Sequence, residues 1–324
     1  MDVSSFRKKY DELQERISQQ RQSSDVSALG LESLAAVGDA GTAAENDPVE
    51  EAMAVVRDRN EDPELRAVTL HAIAIEVGGR EDLIDSVLAL LRDTAEPAVL
   101  RLEALRILQT LNFSSPIFST KRAEYMALLR ELINAEDLTL RQRVLEILAQ
   151  EMDEYAQRRL LEGLEDPSKA LLPPEKAIQL LGYDVHAEHF PILRQMVMKP
   201  PSAAAKQEAI RLLAADPASQ DLLAGILHDK KQSQATRRAS ALALQALSPQ
   251  AFQEHARRIV LDEDENSDLR ATSISALAHT MGQEALSQDT ELTEKVERLQ
   301  KHSSSKEVKR SAASYMSKEN VPSE

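Results

Sequence analysis

Seven histidines and no cysteine bound the chemistry this chain can attempt. Without cysteine there is no thiolate metal site, no cysteine nucleophile and no disulfide. His186 and His189 stand in the stretch YDVHAEHF, where Asp184 and Glu188 could join them as metal ligands. Nothing fixes a third ligand, and the same stretch reads as the polar start of a helix with Asp184 or His186 near its cap. His71 and His279 fall outside the apolar columns described below and read as groove or edge residues. A phosphate-binding glycine loop, a GxSxG elbow and an HExxH pair are all missing. Scattered Asp and Glu pairs read as solvated helix surface. No catalytic residue, metal or cofactor is assigned.

The elements that would position any site repeat along the chain. Residues 62–73 read DPELRAVTLHAI, 97–108 PAVLRLEALRIL, 137–148 DLTLRQRVLEIL and 266–277 NSDLRATSISAL. Aligned on Arg66, Arg101, Arg141 and Arg270, the frame continues through Pro174, Lys206, Arg238 and Lys309, giving eight copies. A large apolar residue precedes most anchors. A small or β-branched residue follows at +3, Leu or Ile at +4 in seven copies, and usually Leu, Ile or Met at +7. These offsets share one face of a 3.6-residue helix. A second amphipathic segment precedes each, as in 82–92, 121–134, 188–198, 219–228 and 250–261. Turns with Asp, Pro or Asn join the pairs, and Pro suits the first turn of the following helix. The unit is a helical hairpin that buries its apolar face only by stacking on its neighbours. Glycine occurs only 9 times, and no run alternates as a strand does, so the chain reads as all-α.

The turn Asp, the Pro, the apolar-Arg pair and the small-Leu-x-x-Leu that follows resemble HEAT repeats over about 48–317. That resemblance implies an α-α superhelix, a solenoid of about eight HEAT-like hairpins. It also implies an Asp–Arg ladder, for which Asp62 with Arg66 and Asp137 with Arg141 match; Pro174, Lys206 and Lys309 depart from it. Iron-dependent hydroxylases of the HEAT class use His-Glu pairs, and no His-Glu dipeptide occurs here. HEAT-like DNA glycosylases present a basic, aromatic-bearing groove. This chain carries a net charge of −15, no Trp and only 3% FWY, so no nucleic-acid partner is expected. Residues 1–47 read as an N-terminal cap and linker, with Phe6, Tyr10, Leu13 and Ile17 at helical spacing and a second short helix at 27–37. Residues 318–324 read as a frayed tail.

The charged start of the chain gives no signal peptide. The longest apolar run, VLALL at 87–91, is far short of the roughly 20 residues that span a bilayer. The expectation is a cytoplasmic protein without membrane contact. Residues 30–100 hold 16 Asp/Glu against 5 Lys/Arg, which serves solubility or a basic partner. Offsets +2 and +5 point away from the core on the second helices, which usually line the concave face. There Arg106, Arg143, Glu146, Gln179 and Arg211 make part of a mixed-charge stripe: a solvated face, or a groove for a peptide or partner helix. Ser240, Ala243, Thr272 and Ser275 continue it as a flatter surface. The longest interval, 40 residues, places NFSSPIFST at 112–120, where Phe113 and Phe118 either meet a partner or fold back to seal the core. These residues favour a non-catalytic scaffold or adaptor for a protein partner. The alternative is an accessory lyase or chaperone-like subunit resembling HEAT-like bilin lyases.

Overall fold

The computed structural model describes residues 11, 12, 15, 18, 47–184, 189–281, 285 and 288–319. The expected cap residues Phe6, Tyr10, Leu13 and Ile17, the 27–37 helix and the end of the tail, 320–324, lie outside them. All regular structure among the described residues is helical. The chain divides into two compact units, Met1–Glu151 and Met152–Glu324.

In the first unit, α1 (Pro48–Arg57) pairs with α2 (Pro63–Ala72). The short α3 (Ala74–Gly79) leads to α4 (Glu81–Arg92), which pairs with α5 (Ala98–Ser114). Then α6 (Arg122–Leu132) pairs with α7 (Leu138–Gln150). In the second unit the pairs are α8 (Glu154–Glu165) with α9 (Pro174–Leu181) and α10 (Phe190–Met198) with α11 (Ala203–Leu212). They continue as α12 (Gln220–His228) with α13 (Gln234–Leu247), α14 (Pro249–Leu261) with α15 (Ser267–Thr280), and α16 (Thr290–His302) with α17 (Lys306–Glu319). Within each unit the second helices stack in order, α2 on α5 and α5 on α7, then α9 through α17. These are the eight hairpins of the repeat, and the all-α solenoid class holds.

Short polar residues start many of the helices. Asp62 accepts from the backbone N–H of Glu64 and Leu65, Asp137 from Leu140, Asp153 from Ala156 and Asp289 from Leu292. Ser202, Ser233 and Ser248 do the same for α11, α13 and α14. Each such cap satisfies an N–H the helix cannot and is worth about 1 kcal/mol.

The apolar columns are the core. Leu65, Leu70 and Ile73, Leu100, Leu105 and Leu108, Leu140, Leu145 and Leu148, and Leu269, Ile274 and Leu277 are all within 2% of full burial. At about 1.5–3 kcal/mol for each buried large side chain, these columns dominate the stacking. The sixth copy corrects the frame. Its buried anchor is Arg237, not Arg238; Ser240, Ala241 and Leu244 occupy the core positions, and Leu242 is 49% exposed. Ser240 and Ala243 are therefore interior rather than surface. In the eighth copy Ala313 is exposed and Tyr315 is buried, so α17 packs through Val308, Ala312 and Tyr315.

Candidate functional site

Three arginines share one geometry. The Nε of Arg66 donates to the Val56 carbonyl at 2.7 Å, that of Arg101 to Leu91 at 3.0 Å and that of Arg237 to Leu227 at 2.7 Å. Each thus reaches from a second helix to the carbonyl end of its own first helix, which attracts a cation. Arg66 Nη2 lies 2.6 Å from Glu96, and Arg237 makes a two-point pair with Glu265 at 2.9 and 2.6 Å. Both glutamates stand five residues before the next anchor, in the turn of the following hairpin. The ladder partner is therefore this Glu and not Asp62. Asp62 spends its carboxylate on the cap of α2, accepting from the Glu64 and Leu65 N–H groups.

In the first unit the stripe residues are on the exposed face of α5 and α7, tied mostly to their own helices. Arg106 bonds Glu103 three residues back, and both touch His71 of α2. Arg143 donates to Glu146 at 3.2 Å and to Gln109 of α5 at 3.0 Å. In the second unit Gln179 accepts from Lys176 at 3.4 Å, and Arg211 bonds Glu208 at 2.8 Å. The positive charge of each of these arginines is thus matched three residues away, a pairing worth a few tenths of a kcal/mol on a helix. The neighbouring carboxylate holds the Arg106 guanidinium above its ordinary pKa.

Along α13, α15 and α17 the exposed face forms a groove of about 680 Å³. Leu242 supplies apolar surface, and Arg238, Arg310, Asp268, Glu307, His279 and Ser275 are among the polar side chains that line it. Of the expected Ser/Ala/Thr surface, Thr272 and Ser275 line this groove, whereas Ser240 and Ala243 are interior because the frame slipped by one residue at Arg237-Arg238. The slip left a trace in the sequence: Gln245 fell where every other copy has Leu, Ile or Met.

The loop expectation divides. Phe118 is 1% exposed, in the 3-10 turn Ile117–Thr120, with its ring edge-on to Tyr125 at 5.4 Å. It seals the core and is unavailable to a partner, because Pro116 turns the chain back onto α6. Phe113, in the last turn of α5, is 76% exposed. His189 is buried at the start of α10, edge-on to Phe190, and lines a cleft of about 470 Å³ with Asp184, Glu154 and Arg158. Burial lowers its pKa, with Asp184 opposing. His186 and Glu188, the other suggested ligands, lie outside the described residues. Among the described residues no three His, Asp or Glu side chains group as metal ligands, and no helix is long and apolar enough to cross a membrane.

The described residues form an all-helical stack of hairpins. No family model matches the chain, and no curated protein does. Among solved structures it is similar to human deoxyhypusine hydroxylase in complex with glycerol, at 15% identity and a TM-score of 0.33, covering 76% of this chain and 98% of that one. A likeness of that size says nothing about the chemistry of this chain.

Proposed function

We propose that the chain is a non-catalytic adaptor that binds a protein partner on the exposed face of its second helices. The groove of α13, α15 and α17 carries the reading. It joins one exposed leucine, Leu242, to lining side chains of both charge signs, Arg238, Arg310, Asp268 and Glu307. An apolar anchor inside a polar rim is the pattern by which an amphipathic helix or extended peptide is recognised. Paired charges of alternating sign set register and partner choice more than affinity. Arg106, Arg143 and Glu146 in the first unit, and Gln179 and Arg211 in the second, are proposed as further polar contacts on that face. Phe113, on the other end of α5, is proposed as an apolar one.

The test is affinity purification of the full chain from its source cell, with mass spectrometry, against two surface variants. Leu242→Glu with Arg310→Glu should lose a stoichiometric partner while far-UV helicity stays unchanged. Converting Arg106, Arg143 and Arg211 to Glu should weaken capture by a smaller factor. Equal partner yield from all three proteins rejects the reading.

A further inference from the structure

We infer that the cleft over Arg101 is a binding site for a small zwitterion, a basic α-amino acid being the best fit. The inference starts from the unequal treatment of equivalent arginines. Arg66 and Arg237 each close onto the Glu of the next turn. Arg101 has the same anchor to a backbone carbonyl and is 93% buried, at 7% relative exposure. Its Nη2, itself almost without accessible surface, has no hydrogen-bond partner among the described residues, and no carboxylate pairs with it as Glu96 pairs with Arg66 at 2.6 Å. Glu136, which stands in the Glu96 and Glu265 position five residues before Arg141, does not reach it and is exposed. The other nearby acids are committed. Asp93 bonds Arg59 and the Ala95 N–H, Glu96 serves Arg59 and Arg66, and Asp137 caps Leu140. Asp93 and Asp137 act on Arg101 only through space, and burial pulls its pKa down against them.

That guanidinium lines a cleft of about 560 Å³ between the turn at 93–97 and the turn at 133–137. The volume lies in the range of small-molecule sites. A buried guanidinium with an unsatisfied nitrogen calls for a carboxylate, the anion its planar fork is suited to pair with. The rim excludes a simple anion. Glu96, Glu131, Glu136 and Asp137 line the same cleft, and like charges around one cleft repel a ligand that brings only negative charge. A ligand carrying a carboxylate and an ammonium on one carbon meets both demands. The carboxylate goes inward to Arg101, and the ammonium goes outward to Glu136 or Glu131. A further cationic side chain uses the remaining rim acid, which is why a basic amino acid fits best. This site is independent of the adaptor reading, since it lies in the first unit and shares no residue with the α13–α17 groove.

The probe is L-arginine, titrated calorimetrically into the full chain at low salt. One-to-one binding is expected, together with a ligand-dependent rise in melting temperature. Agmatine, which lacks the carboxylate, and acetate, which lacks the ammonium, should each bind at least tenfold more weakly. Glu131→Gln with Glu136→Gln lies at the surface and should leave the melt unchanged while weakening L-arginine at least fivefold. Arg101→Lys should abolish binding; the surface variant keeps the test valid if this one misfolds. No L-arginine binding overturns the inference. So does agmatine binding as tightly as L-arginine, because the acidic rim alone would then account for it. A partner protein captured through this cleft, with no response to L-arginine, overturns it too.

Discussion

Arg237 in the second unit and Arg101 in the first occupy the same place in their hairpins, yet only Arg237 has a carboxylate in contact. Both are buried, and both give their Nε to the carbonyl end of the preceding helix. Arg237 then meets Glu265 in two hydrogen bonds. At Arg101 the matching Glu136 turns outward. The contrast teaches that in this repeat the backbone carbonyl sets where the arginine goes, and the next turn decides whether its charge is neutralised. A closed rung stitches two hairpins together. An open rung leaves a polar cleft in which another molecule can supply what the chain does not.

The largest effect should follow from opening the closed rung. Glu265→Ala leaves Arg237 buried without its carboxylate, and an orphaned buried charge costs about 3–5 kcal/mol. Chemical denaturation should show that loss, and Arg237→Met combined with Glu265→Met should recover most of it. Should Glu265→Ala melt as the parent does, the rung is not the stitch described here. Burial alone would raise the Glu265 pKa, but the hydrogen bonds from Arg237 and from the Asn266 N–H outweigh it and leave it below the ordinary 4.5. Its contribution is therefore present above the unfolded value and lost as pH falls through the lower folded one.

A comparable loss should separate the two rings of the 112–120 segment. Phe118→Ala removes a ring packed on Tyr125 and should cost about 3–5 kcal/mol. Phe113→Ala should stay within about 0.5 kcal/mol, as exposed substitutions do. Equal melts for the two variants would show that the segment does not seal the first unit.

Next to the closed rung, His228 gives a pH-dependent version of the same contrast. Its pKa is lowered from 6.5 to about 4, first by burial and then by the charges of Arg258, His255 and Arg237. The ring shares a hydrogen bond with His255 at 3.0 Å. Because the folded value is the lower one, the unfolded chain binds the extra proton between about pH 6.5 and 4. Stability is full above the unfolded value and declines as pH falls through that window, by on the order of 1–3 kcal/mol. His228→Gln should flatten the decline. A melting temperature that falls equally for parent and variant over this range would place the acid sensitivity elsewhere.

How much of this could be read from the sequence differs by residue. The hairpins were legible because Leu70, Leu105, Leu145 and Ile274 repeat at fixed offsets, and burial follows that periodicity directly. The sixth copy misled because Arg237 and Arg238 are adjacent and either can be the anchor; only the misplaced Gln245 betrayed the slip. The rungs were illegible for a different reason. Asp62 and Glu96 are both plausible partners for Arg66, and the choice depends on Asp62 being spent on a cap. Whether Glu136 closes on Arg101 is a matter of turn geometry at 133–137, which composition does not encode.

The smallest expected effect is the most telling one for the comparison. Glu136→Ala should leave stability within about 0.5 kcal/mol, because an exposed carboxylate without a buried partner contributes little. A double-mutant cycle then isolates the pair itself. With Arg101→Met as the second change, the coupling between Arg101 and Glu136 should lie near zero, while the Arg237–Glu265 cycle should exceed about 1.5 kcal/mol. The two cycles use equivalent positions and similar chemistry, so propensity and surface effects largely cancel between them. A coupling of similar size in both would mean that Glu136 closes on Arg101 in solution. The cleft would then hold a neutralised rung, and no ligand carboxylate would find an open guanidinium there. A near-zero coupling that rises on adding L-arginine would instead show the amino acid bridging the two side chains, completing from outside the rung that Glu265 completes from within.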